Sequence, residues 1–321
     1  MTDNPFHFDA AAALPEQVRF GTSSWNYPGW QGTVYRKQYR SERDFNQNCL
    51  AEYAQFPWFR TVGIDSSFYR PSSKALLSRY AAQVPPRFQW ISKVWEEITI
   101  PVYAKHRRYG TKAGLANPNF LNAELFIESV LAPYEDEAIR RHCGPFVFQF
   151  QALRKEWTDA PSRFLEQLDA FLARLPKHFL YATEVRNEEL LSSDYFALLN
   201  RHGATHCFNH WTQMPPLRKQ MQAGAAAGGL TAPFYVCRLL TPLGVSYQQA
   251  VERFQPYNSL QEPNQALRQD VVTFARRAVE RNVPAFVVVN NRCEGYAPGT
   301  IDAIGNEIVM RMAADEVGTP T

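Results

Sequence analysis

Short apolar segments of the chain end in charged residues, a pattern typical of strands that deliver functional side chains to one edge of a sheet. Lys93, Glu184 and Arg238 each follow apolar residues at alternate positions. Side chains alternate across a strand, so each charged group shares a face with the residue two positions before it. An isolated carboxylate in apolar surroundings is strongly unfavourable unless it is paired. We therefore expect Glu184 to lie within hydrogen-bond reach of Lys93, Arg186 or Arg238.

These charged residues have two interpretations, which the sequence leaves open. In the functional one, Glu184 is a general acid or base, while Arg186 and Arg238 bind an anionic group with their planar guanidinium groups. Lys93 is then either a point-charge anchor or an amine that forms a Schiff base. In the structural one, the same residues form an ion-pair network that fills the upper layer of the sheet interior.

Further candidate ligand-binding residues lie at or just after the ends of other apolar segments. Carboxylate and amide groups can bind hydroxyl or amide groups, and aromatic faces can stack on a sugar or a base. Packing of loops and closure of turns are the alternatives for the aromatic residues and the asparagines. The candidates are Trp25, Asp65, Tyr69, Arg70, Gln149, Asn290 and Asn291.

Three histidines at a spacing of four residues look like metal ligands on a helix, but their context argues against this. Gly203 and the apolar run 204–208 place a turn and a strand between His202 and the other two, His206 and His210. On one strand, His206 and His210 would lie roughly 13 Å apart, too far to bind one metal ion.

Other reactive residue types also favour structural roles. Cys207 and Cys237 lie inside apolar segments, which predicts small buried side chains rather than nucleophiles. The adjacent Glu96 and Glu97 point in different directions, which indicates the solvated face of a loop. The strand ends offer Asp65 and Glu184 but few further metal ligands, so we predict no metal site and no cofactor.

The elements that must position these residues recur along the chain. Apolar or β-branched runs predict eight strands, and segments of helical periodicity lie between most of them. Ser72 and Ser192 stand where helix N-caps are expected, and Gly203 where a left-handed C-cap is needed. The strands are predicted over residues 18–22, 61–65, 88–93, 145–150, 179–185, 204–208, 234–239 and 285–290, and the helices over 41–56, 72–84, 122–131, 161–175, 192–202 and 265–281.

Strand followed by helix, repeated about eight times in some 300 residues, predicts a single α/β domain built as a closed (β/α)8 TIM-type barrel. This domain spans residues 1–321, with 1–17 as an N-terminal extension and 313–321 as a loose C-terminal tail. A doubly wound open sheet is the alternative, but the turn after the first strand lacks the glycine spacing of a dinucleotide site.

Two connections are too long for simple strand-to-helix loops and should shape the site or its lid. They span residues 94–122 and 240–264. The small-residue segment 223–229, with the sequence AGAAAGG, is expected to be a flexible loop before the seventh strand.

The ends of the predicted strands resemble motifs of the YecE-like family, also called domain of unknown function 72, over most of the chain. A Thr/Ser-Phe-Tyr-Arg-Pro motif is matched by 67–71, and an Asn-Asn motif by 290–291. The opening motif of the family is matched by Gly21, Ser23, Trp25, Tyr27, Trp30, Gly32 and Tyr35. Similar correspondence holds for Lys93, Phe148, Gln149, Glu184, Val185, Arg186, Arg238, Gly295, Tyr296 and Ala297.

This resemblance implies a (β/α)8 barrel with the matched residues at its site, and it brings no established reaction. The chain departs from the family at three places. Gly63 and Asp65 stand where members usually carry Glu and Asn, and Ile100 follows Thr99 where a His is expected. Any mechanism of the family that uses those groups would not transfer to this chain.

Composition limits the classes of function. Of 321 residues, 34 are Lys or Arg and 31 are Asp or Glu, so the net charge of +3 does not by itself indicate a polyanionic partner. Five cysteines without a CxxC pair argue against a disulfide framework. The N-terminal residues do not resemble a signal peptide, and no stretch approaches the ~20 apolar residues of a membrane span. We therefore expect a cytoplasmic protein without a membrane partner.

The leading functional hypothesis is a cofactor-independent enzyme, a hydrolase or a lyase, that acts on an anionic or polyhydroxylated small molecule at the C-terminal mouth of the barrel. The alternative is a noncatalytic module that binds nucleic acid or a nucleotide-derived ligand through its arginines and aromatic residues. A scaffold with a closed mouth is the third hypothesis. The sequence does not indicate an oligomeric state.

Overall fold

Eight parallel strands run through the chain at the positions where the sequence predicts them. The computed structural model describes residues 6–317. The strands are β1 (Val18–Thr22), β2 (Thr61–Ile64), β3 (Gln89–Lys93), β4 (Cys143–Gln149), β5 (Tyr181–Glu184), β6 (Thr205–His210), β7 (Tyr235–Leu239) and β8 (Ala285–Val289). The sixth strand extends two residues beyond its predicted end, so His210 belongs to it.

The strands form one sheet that curls into a nearly closed barrel. From β2 to β8, each strand pairs in parallel with the next strand in sequence, and β8 returns to pair with β1. The remaining seam of the barrel lies between β1 and β2. There the Arg60 amide donates to the Phe20 carbonyl at 2.8 Å. A Cβ atom on Gly21 would lie 2.0 Å from the carbonyl oxygen of Thr61, so only glycine permits this approach of β1 to β2. The single (β/α)8 barrel predicted from the sequence is confirmed.

The packing of the barrel interior explains why the polar side chains at the C-terminal strand ends converge. Its apolar layer contains Ile91, Val147, Ala182, Val236 and Val288, one from each of five strands. Two residues further along the same strands, on the same face, come Lys93, Gln149, Glu184, Arg238 and Asn290. The strand period therefore delivers five polar side chains to the C-terminal mouth, directly above a packed apolar layer.

Helices cover the outside of the barrel and pack on the alternate strand residues. Ser192 caps α10 by accepting from the Tyr195 amide, and Gly203 ends that helix at φ +66°, as predicted. The fourth helix is capped by Ser73 rather than by Ser72. The helices are α1 (Phe8–Ala13), α2 (Glu42–Asn48), α3 (Leu50–Tyr53), α4 (Lys74–Ala81), α5 (Glu96–Thr99), α6 (Ala123–Phe126), α7 (Glu137–Arg140), α8 (Lys155–Thr158), α9 (Pro161–Ala173), α10 (Ser193–His202), α11 (Leu217–Ala226), α12 (Tyr247–Phe254), α13 (Gln265–Glu280) and α14 (Ala297–Val317).

Helices lie near both ends of the described part of the chain. The N-terminal extension contains α1, and the His7 amide and ring both bind the Asp302 carboxylate at 2.7 Å. At the other end, α14 packs on α13 and the barrel and continues through residues 313–317 of the predicted loose tail, where the side chains of residues 313–315 are exposed. Residues 1–5 and 318–321 lie outside the described part of the chain.

The segment 223–229 is not the flexible loop predicted from its small residues. Residues 223–226 form the last turn of α11, where a Cβ atom on Gly224 would lie 3.4 Å from the Phe196 ring. The helix ends before Gly228 and Gly229, whose positive φ angles carry the chain towards β7. No helix between residues 6 and 317 is long and apolar enough to cross a membrane.

Candidate functional site

A cleft of about 590 Å³ lies at the C-terminal ends of the strands. Its floor is formed by the polar strand ends, and its walls come from the loops after β1, β2, β3, β7 and β8. Two of these loops are the long connections that the sequence analysis expected to shape a site. They contribute Arg108 from one side and Tyr247 and Tyr257 from the other.

Glu184 lies beneath the cleft, with its side chain fully buried. Its Oε1 accepts from Nε and Nη2 of Arg186 at 3.1 and 3.0 Å. Its Oε2 accepts from Nη1 of Arg238 at 2.5 Å. The prediction that this carboxylate binds a neighbouring cation is therefore confirmed for two of the three proposed partners.

Gln149 and Asp65 complete this network. The Gln149 Oε1 accepts from Arg186 at 2.8 Å and from Arg238 at 3.1 Å, so one amide oxygen bridges both guanidinium groups. Asp65 accepts from Nη2 of Arg238 at 3.2 Å. The Arg238 side chain is only 4% exposed and is held from two sides by carboxylates.

Arg186 faces the cleft more openly than Arg238. Its side chain is 16% exposed, and its guanidinium carbon lies 4.6 Å from the centre of the Trp211 ring. Within the described part of the chain, Nη1 of Arg186 has no hydrogen-bond partner. This nitrogen can therefore donate to a molecule in the cleft while Nε and Nη2 stay bound to the network.

The environment of Glu184 favours its charged form. Burial opposes that form, but the charges of Arg238 and Arg186 outweigh burial and lower the pKa of Glu184 to about 2. The carboxylate is thus ionised at neutral pH, and all its described contacts are with protein groups. This geometry suits a residue that positions the two arginines.

The environment of Lys93, in contrast, disfavours the charged form of its side chain. Burial and the nearby charges of Arg238 and Arg186 lower the pKa of its amine to about 8, against the opposing charges of Asp65 and Glu184. The Nζ atom lies 3.9 Å from the centre of the Phe68 ring and the side chain lines the cleft. A neutral amine is therefore present at this wall at mildly alkaline pH.

Most of the residues predicted for the site meet at the cleft. The predicted residues that line the cleft are Asp65, Tyr69, Lys93, Gln149, Arg186, Arg238, Asn290 and Asn291. Asn290 and Asn291 also fulfil the alternative role, because their Oδ1 atoms accept from the amides of Arg292 and Ala297 and close the turn after β8. The two interpretations of these asparagines are thus compatible.

Three predicted site residues do not reach the cleft wall. Glu184 lies below it, as described above. Trp25 is buried and packs edge-on against Tyr80, with 4.9 Å between the ring centres, because the turn after β1 folds back onto α4. Arg70 is exposed on the loop after β2 and is not among the described residues that line the cleft.

Several cleft residues were not identified from the sequence. Arg108 and Tyr247 lie in long connections, where residue number says little about position in space. Arg292 and Trp211 follow β8 and β6, so their places just after predicted strands were a usable signal. Their guanidinium and indole groups enlarge the cationic and aromatic lining.

The histidines at a spacing of four do not converge, as expected. His202 binds Asp169 at 2.7 Å on the surface. His206 lies buried between Tyr195 and Gln220, outside the barrel interior. Within residues 6–317, no group of three or more His, Cys, Asp or Glu residues is arranged to hold a metal ion.

The expectation for Glu96 and Glu97 is wrong, because both are buried. They form the short helix α5 and pair with cations of the long connection. Glu96 binds Arg108 at 2.5 Å, and Glu97 lies 3.5 Å from Lys112. The two carboxylates thereby hold the loop that forms one wall of the cleft. Cys207 and Cys237 are buried in their strands, and burial raises both thiol pKa values.

The cleft lining is cationic. Asp65 is the single carboxylate among the described residues on the wall. Glu184, beneath the wall, and Glu96, behind it, each compensate one further cation. Together with Asp65 they make three carboxylates against five cations, which leaves two positive charges in excess. The cationic residues of the lining are Lys93, Arg108, Arg186, Arg238 and Arg292. An anionic ligand would balance this excess.

The fold and the site define a (β/α)8 barrel protein with a cationic cleft at the mouth. Residues 19–318 match the family described as protein of unknown function DUF72, and the chain belongs to this family. A comparison with curated proteins finds no match.

Solved structures of the same family are similar in fold. A DUF72 family protein from Enterococcus faecalis V583 has a TM-score of 0.57 at 17% identity, covering 92% of this chain and 98% of that chain. A DUF72 family protein from Thermotoga maritima MSB8 has a TM-score of 0.56 at 15% identity, covering 92% of this chain and 99% of that chain. At these identities the similarity shows the fold alone.

Proposed function

We propose that this protein is a cofactor-independent enzyme, a hydrolase or a lyase, that acts on an anionic small molecule bound in the cleft at the barrel mouth. The observation that carries the proposal is the cationic lining of the cleft, with five cationic side chains and one carboxylate on its described wall. Such a lining is unfavourable without a ligand, because like charges repel at short range, most strongly at the partly buried floor.

Arg186 is the principal anion-binding group in this proposal. It presents the free Nη1 and stacks on Trp211, which fixes its plane. Glu184 and Gln149 hold the opposite side of the guanidinium, so little conformational freedom is lost when an anion binds. Phosphate and carboxylate groups match this donor geometry.

The groups available for proton transfer are Lys93 and Asp65. Lys93 has a pKa of about 8 and faces the cleft, so it can gain or lose a proton near neutral pH. Asp65 has a side chain 36% exposed and is the carboxylate on the wall. In this proposal Glu184 is a positioning residue, because it is buried and bound to both arginines.

A noncatalytic binding module is the second candidate, favoured by two exposed tyrosines at the rim. Tyr69 and Tyr247 are 62% and 60% exposed. The guanidinium carbons of Arg108 and Arg292 lie 5.4 and 4.5 Å from their ring centres. Such pairs can stack on the bases of a nucleic acid or of a nucleotide-derived ligand. Steep salt dependence would distinguish nucleic-acid binding, since phosphate contacts release counterions.

Binding of inorganic phosphate tests the anion site. We expect calorimetric titration at constant ionic strength to detect binding that weakens about tenfold or more in Arg186→Gln, the loss of one charge-assisted hydrogen bond. Arg70→Gln is the matched control, because this arginine lies on the same face of the barrel but outside the cleft lining. Melting curves establish that both variants fold.

Two results would count against the proposal. Absence of phosphate, sulfate and carboxylate binding at concentrations on the order of 100 mM would exclude an anion site of useful affinity. Equal weakening in both arginine variants would place the anion on the surface. Turnover is tested with a mixture of phosphorylated and carboxylated sugars followed by NMR, and binding without consumption of any member would favour the binding module.

A further inference from the structure

The amine of Lys93 is unusual among the charged groups of the cleft floor, because it has no carboxylate partner among residues 6–317. Within the described residues, no Asp or Glu oxygen lies within 4.0 Å of its Nζ. The two nearby carboxylates are already bound, Glu184 by both arginines and Asp65 by Arg238. The neighbour of Nζ is instead the face of the Phe68 ring at 3.9 Å.

This arrangement does not suit a permanent point-charge anchor. An anchoring lysine is stabilised in its charged form by a carboxylate or by water. Lys93 is partly buried and lies on the same floor as two guanidinium groups, and the Phe68 ring face compensates its charge less than a bound carboxylate would. Desolvation beside other cations is the arrangement that makes a lysine amine nucleophilic at moderate pH.

The position of Lys93 places that amine next to the anion site. It ends β3, two residues after Ile91 of the barrel interior, and lines the same cleft as Arg186. Asp65 follows β2 directly, and the register pairs Ile64 with Ser92, so Asp65 and Lys93 are neighbours at adjacent strand ends. The amine, a carboxylate and an anion-binding group therefore share one wall.

We propose that Lys93 forms a Schiff base with the carbonyl group of an anionic aldehyde or ketone, which makes the protein a lyase for that substrate class. This inference rests on the proposed anion-binding function of the cleft. It extends that function by naming the carbonyl group as the reacting part of the substrate and Lys93 as the catalytic residue.

The step balances with groups that the site contains. The neutral Nζ attacks the carbonyl carbon and a C–N bond forms, while the carbonyl oxygen takes up one proton from Nζ and one from solvent. The C–O bond then breaks and the oxygen leaves as water. The product is an iminium cation, whose charge the Phe68 ring can stabilise. A C–C bond from the neighbouring carbon to a hydroxyl-bearing carbon then breaks, and its electron pair moves into the iminium to give an enamine. Asp65 is placed to accept the hydroxyl proton, so that the departing fragment leaves as a second carbonyl compound. The proton then returns from Asp65 to the enamine carbon, and water hydrolyses the restored iminium to the remaining carbonyl product, the amine and a proton.

Reductive trapping tests the proposal with a defined probe. The whole protein is incubated at pH 7 with pyridoxal 5′-phosphate, an aldehyde that carries a phosphate group, and reduced with borohydride before peptide mapping. A lysine with a pKa of 8 is neutral about three hundred times more often at pH 7 than one of 10.5. We expect Lys93 to be labelled at least tenfold faster than the exposed Lys155.

Controls separate the amine from the anion site. Lys93→Arg keeps the positive charge but cannot form an imine, so its site-specific label should vanish, whereas Lys155→Arg should label Lys93 like the wild type. Pyridoxal without the phosphate should label Lys93 at least tenfold more slowly, and inorganic phosphate should compete with the phosphorylated probe. Melting curves confirm that each variant folds.

The outcomes distinguish this inference from the proposed function. If phosphate binds by calorimetry but Lys93 is labelled no faster than Lys155, the Schiff-base role is overturned and the anion site stands. If phosphate neither binds nor competes, the proposed function fails together with the inference. Fast labelling of Lys93 that needs the phosphate group and disappears in Lys93→Arg supports both.

Discussion

Replacing Glu184 with glutamine should destabilise the protein strongly, because the carboxylate is fully buried and bound to two arginines. An amide of the same shape offers one acceptor oxygen and turns an NH₂ group towards a guanidinium donor. Arg186 and Arg238 would then keep one of the two carboxylates that compensate their charge, the Asp65 carboxylate bound to Arg238. Breaking a buried ion pair on one side is among the most destabilising single substitutions.

The magnitude follows from the pKa of Glu184. A fall from 4.5 in the unfolded chain to about 2 in the folded protein corresponds to about 3 kcal/mol of stability at pH 7. Because the folded pKa is the lower one, this contribution is complete above pH 4.5 and is lost as the pH falls towards 2. The difference between the wild type and Glu184→Gln should therefore shrink to roughly half by pH 3.

Equilibrium urea denaturation followed by circular dichroism measures both quantities. We expect Glu184→Gln to lose about 3 kcal/mol at pH 7 and less at pH 3, while the exposed Glu189→Gln changes stability by less than about 0.5 kcal/mol. The reasoning is refuted if Glu184→Gln is as stable as the control at pH 7, or if its deficit is the same at both pH values. If the variant is fully stable but has no turnover, Glu184 acts instead as a general acid or base.

Three further predictions concern the barrel seam, the base of the barrel and the amine. Gly21→Ala should lower stability by more than about 2 kcal/mol in the same assay, because its Cβ would overlap the Thr61 carbonyl and reopen the seam. A near-neutral effect would contradict the close approach of β1 to β2. Arg60→Ala should lower the free energy of unfolding by about 2 kcal/mol, since the guanidinium donates to four backbone carbonyls of residues 11–18. Unchanged melting would show that water replaces the guanidinium. The reaction of Lys93 with an amine reagent should be half-maximal near pH 8 by peptide mass spectrometry, and a midpoint near that of exposed lysines would show that the cleft does not lower its pKa.

The fold was predictable because barrel strands carry their signal locally. Each strand is a short apolar run, and the period of two residues places Lys93, Glu184 and Arg238 on the inner face of the barrel from the sequence alone. The glycine at the end of α10 and the capping serine at its start are equally local signals. The long connections carry no such period, and the sequence therefore predicts a solvated loop where Glu96 and Glu97 form a buried helix.

The sequence by itself determined which residues occupy the C-terminal ends of the strands, because alternation along a strand depends only on neighbours in the chain. Only the tertiary structure decided their roles. Closure of the barrel places Arg186 and Arg238 on either side of Glu184, and so buries the one carboxylate that looked reactive while Asp65 remains on the wall. It also leaves Lys93 without a carboxylate partner in the described part of the chain. Burial and the competition for partners depend on all eight strands at once, and no single segment of the sequence contains that information.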